Sequence, residues 1–182
     1  STLSGNSVSG GTTNQGGGVF GNGLTIVAST VSGNSSSGGA TNQGGGIYIP
    51  NSAIVFARNT IVAVNVATVG PDVFGSLSSQ GNNLFGNTSG VTFTGDTSTN
   101  IINSDPKLSP LASAGGPTQS HLLLPGSPAI DSGNDCVADP AHCSDPNIDQ
   151  LTTDQRDTGF PRKVGTHVDI GAVEVSYLIA AT

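Results

Sequence analysis

Nine of the twelve acidic residues fall at or beyond Asp131, whereas Arg58 is the only charge before Asp72. A carboxylate cluster of this kind suits Ca²⁺, which takes about six to eight oxygen ligands. Asp131, Asp135 and Asp139 are the candidate ligands of a structural Ca²⁺. Neither the EF-hand spacing nor the GGxGxDxUx nonapeptide is present, so the expectation is a chain without a cofactor. Paired carboxylates also cleave glycosides when they face each other across about 5 to 9.5 Å. Lyases of acidic polysaccharides need, besides, a basic residue across a groove, and a first half almost free of charge offers none. Arg156 and Arg162 beside Asp154, Asp157 and Asp169 fit an ion-pair knot closing the C-terminal region. His121, His142 and His167 lack a mutual metal-ligand spacing, and His121 reads as a packed structural histidine. Cys136 and Cys143 lie close together in a loop-like stretch, which suits one local disulfide in an oxidising compartment.

The elements that carry these residues are set by a repeat. Ser1 to Phe20 and Ser29 to Tyr48 are identical at 15 of 20 positions. One column, an apolar residue followed three positions later by Asn, ends at Asn6, Asn34, Asn65 and Asn87. A second runs through Val19-Phe20, Ile47-Tyr48 and Val73-Phe74. The spacing of the Asn column is irregular, which loops between short strands absorb and helical repeats tolerate badly. The runs GGGVFG, LTIVAS and TVSGN read as three short strands per repeat, with alternate side chains turned inward. That pattern is a parallel β-helix over residues 1–105, continuous with an irregular closing region over 106–182. Equivalent side chains then stack about 4.8 Å apart. Asn6, Asn34, Asn65 and Asn87 are expected to form an inward amide ladder, and Ile47, Val62, Phe74 and Leu84 to belong to the core. Asn34 with Ser36 and Asn87 with Ser89 also satisfy the N-glycosylation pattern. The inward ladder favours the structural reading of both.

Only 9% of the chain is Asp, Glu, Lys or Arg, against about 25% in ordinary domains, which disfavours a helical protein with charged faces. Nucleic acid is a poor partner for a chain of net charge -7 without a basic cluster. No apolar run approaches the roughly 18 residues of a membrane span, and membrane insertion is not expected. With no Met, Ser1 is not a translation start, so the chain is expected to be a mature product or part of something longer.

From Asn59 onward motifs replace repeats: NTIVAVN, GPDVFG, LASAGGPTQSHLLLPGSPAID (Leu111 to Asp131), DQRDTGFPR (Asp154 to Arg162) and VDIGAVE (Val168 to Glu174). In this order, over residues 59 to 174, they resemble the choice-of-anchor Q domain of secreted bacterial parallel β-helix proteins. The resemblance implies a right-handed coil, export and frequent cell-surface attachment, and it brings no catalytic residues. One departure is that Asp157 and Thr158 stand before Gly159, where the family has Gly directly after Asp-Gln-Arg.

Two functions follow as expectations. The leading one is a non-enzymatic secreted or cell-surface structural protein that assembles into a filament or acts as an adhesin, with itself as partner. VEVSYLIAAT at the C-terminus reads as a strand-like tail in which Val175, Tyr177, Leu178 and Ile179 would dock on the next subunit. The alternative is a β-helix that binds or cleaves an extracellular glycan. Sugar faces stack on Trp and Tyr, and with no Trp and only Tyr48 and Tyr177 the structural reading leads.

Overall fold

A computed structural model describes residues 1–139 and 150–175. Among these residues there is no α-helix, and the strands are mostly parallel. The first repeat forms β1 (Thr2–Ser4), β2 (Ser7–Val8), β3 (Thr13–Gln15), β4 (Val19–Phe20) and β5 (Leu24–Val27). The second forms β6 (Thr30–Ser32), β7 (Ser35–Ser36), β8 (Thr41–Gln43), β9 (Ile47–Tyr48) and β10 (Val55–Arg58). Then follow β11 (Ile61–Ala63), β12 (Val73–Gln80), β13 (Leu84–Phe85), β14 (Val91–Asp96) and β15 (Ile101–Ile102). A short antiparallel pair, β16 (Ala112–Ser113) and β17 (Gln119–Ser120), and a 3-10 turn at Asp135–Val137 complete the described elements.

Each strand of the first repeat hydrogen-bonds to its counterpart in the second, in a register that places like residues side by side. Thr2 pairs Thr30, Asn14 pairs Asn42 and Val19 pairs Ile47. The repeats thus hold more strands than the three expected. The polar runs Ser7–Val8 and Thr13–Gln15 lack the apolar alternation by which strands are read. They pair because an equivalent backbone lies alongside in the next repeat.

Two larger sheets result. One has the order β1-β6-β11-β13-β15, and the other runs β4-β9-β12-β10-β5, with β14 added on β12. Strand alternation turns Leu3, Val31, Val62 and Phe85 of the first sheet toward Val19, Ile47, Val55, Val73 and Leu77 of the second, and these side chains form one core. The alternate residues of the first sheet, Ile61, Leu84 and Ile101, face the other way. There they pack with Leu123, Ala129 and Ile170 of the C-terminal segment in a second core. The middle rows of the first sheet are therefore covered on both faces, while Ile102 at its end is 54% exposed. Polar contacts extend this cover along the row: Thr2 Oγ1 donates to Gln155 Oε1 at 2.6 Å, Ala172 N to Thr30 Oγ1 at 3.1 Å and Gly171 N to the Asn59 carbonyl at 2.9 Å.

Ile47, Val62 and Leu84 are fully buried as expected, but Phe74 is not a core residue. It is half-buried on the outer side of its strand, stacked on Tyr48 at 5.5 Å, which in turn stacks on Phe20 at 5.1 Å. Period-2 alternation explains the correction, because Val73 takes the inward position and the next residue must point out.

Candidate functional site

The side chains most tightly organised by the repeat are those of the Asn column. Asn34 Oδ1 accepts from both the backbone N and Nδ2 of Asn6, at 3.0 and 2.9 Å. Asn65 Oδ1 accepts the same pair from Asn34, at 3.0 and 2.9 Å. Asn34 and Asn65 are buried, and their Nδ2 groups also satisfy the carbonyls of Leu3 and Ser32, and of Val31 and Ala63.

Asn87, expected as the fourth rung, is not in the stack. It is exposed, and its Oδ1 accepts from Ser89 N at 2.8 Å. Asp72 takes the rung instead: its Oδ1 accepts from Asn65 N and Nδ2 at 3.0 and 2.9 Å, and its Oδ2 from Asn87 N at 2.7 Å. The reason lies in the second column. GGGVF, GGGIY and GPDVF align, so Asp72 stands where Gly18 and Gly46 stand earlier. A Cβ on Gly18 would lie 2.9 Å from Asn34 Cγ, and one on Gly46 2.7 Å from Asn65 Nδ2. Where an Asn fills the slot only glycine fits opposite, and where the Asn is missing the Asp side chain enters. A carboxylate only accepts, so it ends the ladder. Burial pushes the Asp72 carboxyl above its usual range, opposed by the hydrogen bonds from Asn65 and Asn87. That replacement of the third Gly by the first acid of the chain was the available sequence signal. Three more amide pairs lie outside the Asn column: Asn14 Nδ2 donates to Asn42 Oδ1 at 3.0 Å, Gln15 Nε2 to Gln43 Oε1 at 2.9 Å, and Asn83 Nδ2 to Asn100 Oδ1 at 3.2 Å.

The C-terminal acids form a knot of different membership from the one expected. Asp154 is held by Arg156 through Nε at 3.0 Å and Nη2 at 2.6 Å. Asp169 and Glu174 lie buried near Arg162, itself 1% exposed. Asp157 is exposed and outside the knot, in a left-handed turn with φ 71°. The knot is stitched by backbone donors: Glu174 N to Asp154, Asp169 N to Glu174 Oε2 at 2.9 Å, Asp131 N to Asp169 Oδ1 at 2.8 Å and Val175 N to Asp169 Oδ2 at 2.7 Å. Burial, with the nearby charge of Asp169, pushes the Glu174 carboxyl up to about 7, and burial raises Asp169 too. Every carboxylate oxygen of Asp154, Asp169 and Glu174 is engaged with the protein itself, which ties the stretches of the C-terminal segment to one another.

The Ca²⁺ candidates do not converge, and no cluster of metal-ligating side chains occurs among the described residues. Asp135 is turned to Lys163 at 2.6 Å, His167 Nδ1 at 3.1 Å and Val168 N at 2.9 Å. Although burial works against its charge, these donors hold it below its usual range. Asp131 Oδ1 accepts from His167 N. Carboxylates neutralised by an ammonium and backbone N–H groups do not form a cation cage. His121 Nδ1 donates to the Ser109 carbonyl at 2.7 Å, and its Nε2 lies 2.9 Å from Ser4 Oγ. A Ser–His contact is the minimal unit of nucleophilic catalysis. His121 lines an adjoining cleft of about 580 Å³. The contact fastens the C-terminal segment to β1.

Cys136 is buried, with Arg58 Nη1 3.4 Å from its sulfur. Cys143, His142, Tyr177, Leu178 and Ile179 lie outside the described residues. Val175 is half-buried and packs on the second core. The Phe20, Tyr48 and Phe74 rings stack on one another in a row, with Phe20 at its end 60% exposed. No helix of the described residues is long and apolar enough to cross a membrane. Comparison with family models, curated proteins and solved structures returned no match.

Proposed function

We propose that this chain is an extracellular structural protein: a right-handed parallel β-helix, exported, carrying a Cys136–Cys143 disulfide, and self-associating end to end into a filament or adhesive surface layer. The single observation that supports this reading most is the stacking itself. Successive repeats continue both the backbone ladder and the buried amide ladder, so one repeat is the template for another. At the end of this row β14 bonds only to β12 and β15 only to β13 among the described residues. Edge strands with unpaired backbone groups recruit further strands, and heterologous contact of this type generates open filaments when it does not close. The choice-of-anchor Q resemblance points the same way, toward a secreted or cell-surface setting.

The test is sedimentation and electron microscopy of the full chain across a concentration series, beside the Thr92→Lys, Thr94→Lys double variant. Thr92 and Thr94 are exposed on β14, so the added charges block the edge without touching either core. The expected result is rods or large particles for the parent and a shift to monomer for the variant. A parent that stays monomeric at high concentration overturns the reading.

A further inference from the structure

The chain holds two Asn-x-Ser patterns, Asn34-Ser35-Ser36 and Asn87-Thr88-Ser89, and the fold treats them in opposite ways. Asn34 is fully buried, and its Nδ2 donates to Leu3 O, Ser32 O and Asn65 Oδ1. Displaced from the ladder by Asp72, Asn87 is exposed, and its Nδ2 donates no hydrogen bond to any described residue. We propose that Asn87 is an N-glycan acceptor of the folded chain and that Asn34 is not.

Four observations carry this. Ser89 N donates to Asn87 Oδ1 at 2.8 Å, an Asx turn that polarises the amide and turns Nδ2 outward. The Ser89 side chain at the +2 position is exposed as well. Asn87 is held firmly at its backbone, through its N–H on Asp72 Oδ2 at 2.7 Å, while Thr88 is fixed by Asn103 Oδ1 at 3.1 Å from its N and 2.9 Å from its Oγ1. The acceptor is thus presented on a rigid loop. It also borders an open cleft of about 440 Å³ that includes Val64 and Val66, 60% and 61% exposed. The C–H face of the first sugar would cover these apolar side chains, which the chain itself leaves in water.

The modification is a group transfer from a diphosphate-activated sugar, carried out by a glycosyltransferase. Asn87 Nδ2 bonds to the sugar C1, the C1–O bond to the diphosphate breaks with its electron pair leaving on the phosphate oxygen, and the amide gives one proton to a base of the transferase.

The experiment offers the folded full chain and the urea-unfolded, diluted chain to a nucleotide-sugar-dependent N-glycosyltransferase that uses Asn-x-Ser/Thr, followed by peptide mapping. The folded chain is expected to take one sugar, at Asn87, and none at Asn34, and the unfolded chain to take sugar at both. Ser89→Ala is expected to abolish the folded-chain product, and Asn87→Gln, at an exposed site, to do the same without loss of fold by circular dichroism. Sugar on Asn34 of the folded chain, or an Asn87 that stays bare in the folded chain, overturns the proposal. Because the readout is a mass on one peptide of the monomer, it is independent of whether the chain forms filaments.

Discussion

Asn65 sits at the centre of the amide ladder, receiving from Asn34 and giving to Asp72. Replacing it by Ala leaves the Asn34 backbone N–H, the Asp72 carboxylate and two carbonyls short of partners inside the protein. Leaving one buried partner unsatisfied costs about 1–3 kcal/mol, so Asn65→Ala is expected to lose at least that much in chemical denaturation, whereas Asn87→Ala, on an exposed loop, is expected to lose far less. Glu174 sets a pH dependence. Its carboxyl titrates at about 7 in the folded chain against 4.5 as its ordinary value. Between those two pH values the folded chain binds more protons than the unfolded one, so this contribution is complete below about pH 4.5 and is lost as pH rises through 7. Asp72 and Asp169, both raised by burial, act in the same direction. Denaturation midpoints measured from pH 4.5 to 8 should therefore fall with rising pH, and Glu174→Gln should flatten the slope. A midpoint that rises through this range would contradict the buried knot.

The elements most visible in the sequence were those that repeat. Two nearly identical blocks of twenty residues give β1 to β4 and β6 to β9 one after the other, and the apolar column reads directly as the inward row of the first sheet at Leu3, Val31 and Val62, whereas at the fourth row the register gives that place to Phe85 and turns Leu84 to the second core. What was not legible had distant causes. The pairing of Thr13–Gln15 with Thr41–Gln43 has no apolar period to announce it, since neighbouring copies, not burial, hold those strands. Phe74 was misplaced because a large aromatic residue suggests a core, although the register gives that position to Val73. The packing of Leu123, Ala129 and Ile170 on the back of the first sheet depends on a chain reversal that no local pattern encodes. Glycine runs belong to this scale too. Gly46 lies so close to the next repeat that a Cβ would meet Asp72 O at 2.5 Å and Asn65 Nδ2 at 2.7 Å. Overpacking of this kind typically costs about 1–3 kcal/mol. Gly46→Ala is expected to reach or exceed that range, while an Ala at Gly5, with open space around its Cβ, should cost only the strain of its positive φ. Thermal melts of the two variants compare them directly.

In the whole molecule, two cores share one sheet, and this couples parts of the chain that an ordinary repeat protein keeps independent. In a simple array each repeat touches only its neighbours, and stability grows by nearly equal steps. Here the segment from residue 106 onward reaches β1 through Ser4 and Thr2, β6 through Thr30, and the β11 and β13 rows through Ile61 and Leu84. Removing Ile170 by substitution to Ala should cost about 2–5 kcal/mol, the usual range for a large aliphatic core residue, and should loosen the cover along its length in hydrogen exchange. The same cover acts as a ruler. His121 and Gln155 find their partners on β1, and Gly171 its partner at Asn59, only when the rungs between them number what they do. A duplicated repeat inserted between β5 and β6 would match both neighbours in the ladder and still push β1 one strand spacing out of reach of the C-terminal segment. Repeat number in this protein is counted by the structure, and drift in length, the common fate of tandem sequence, would be penalised at once.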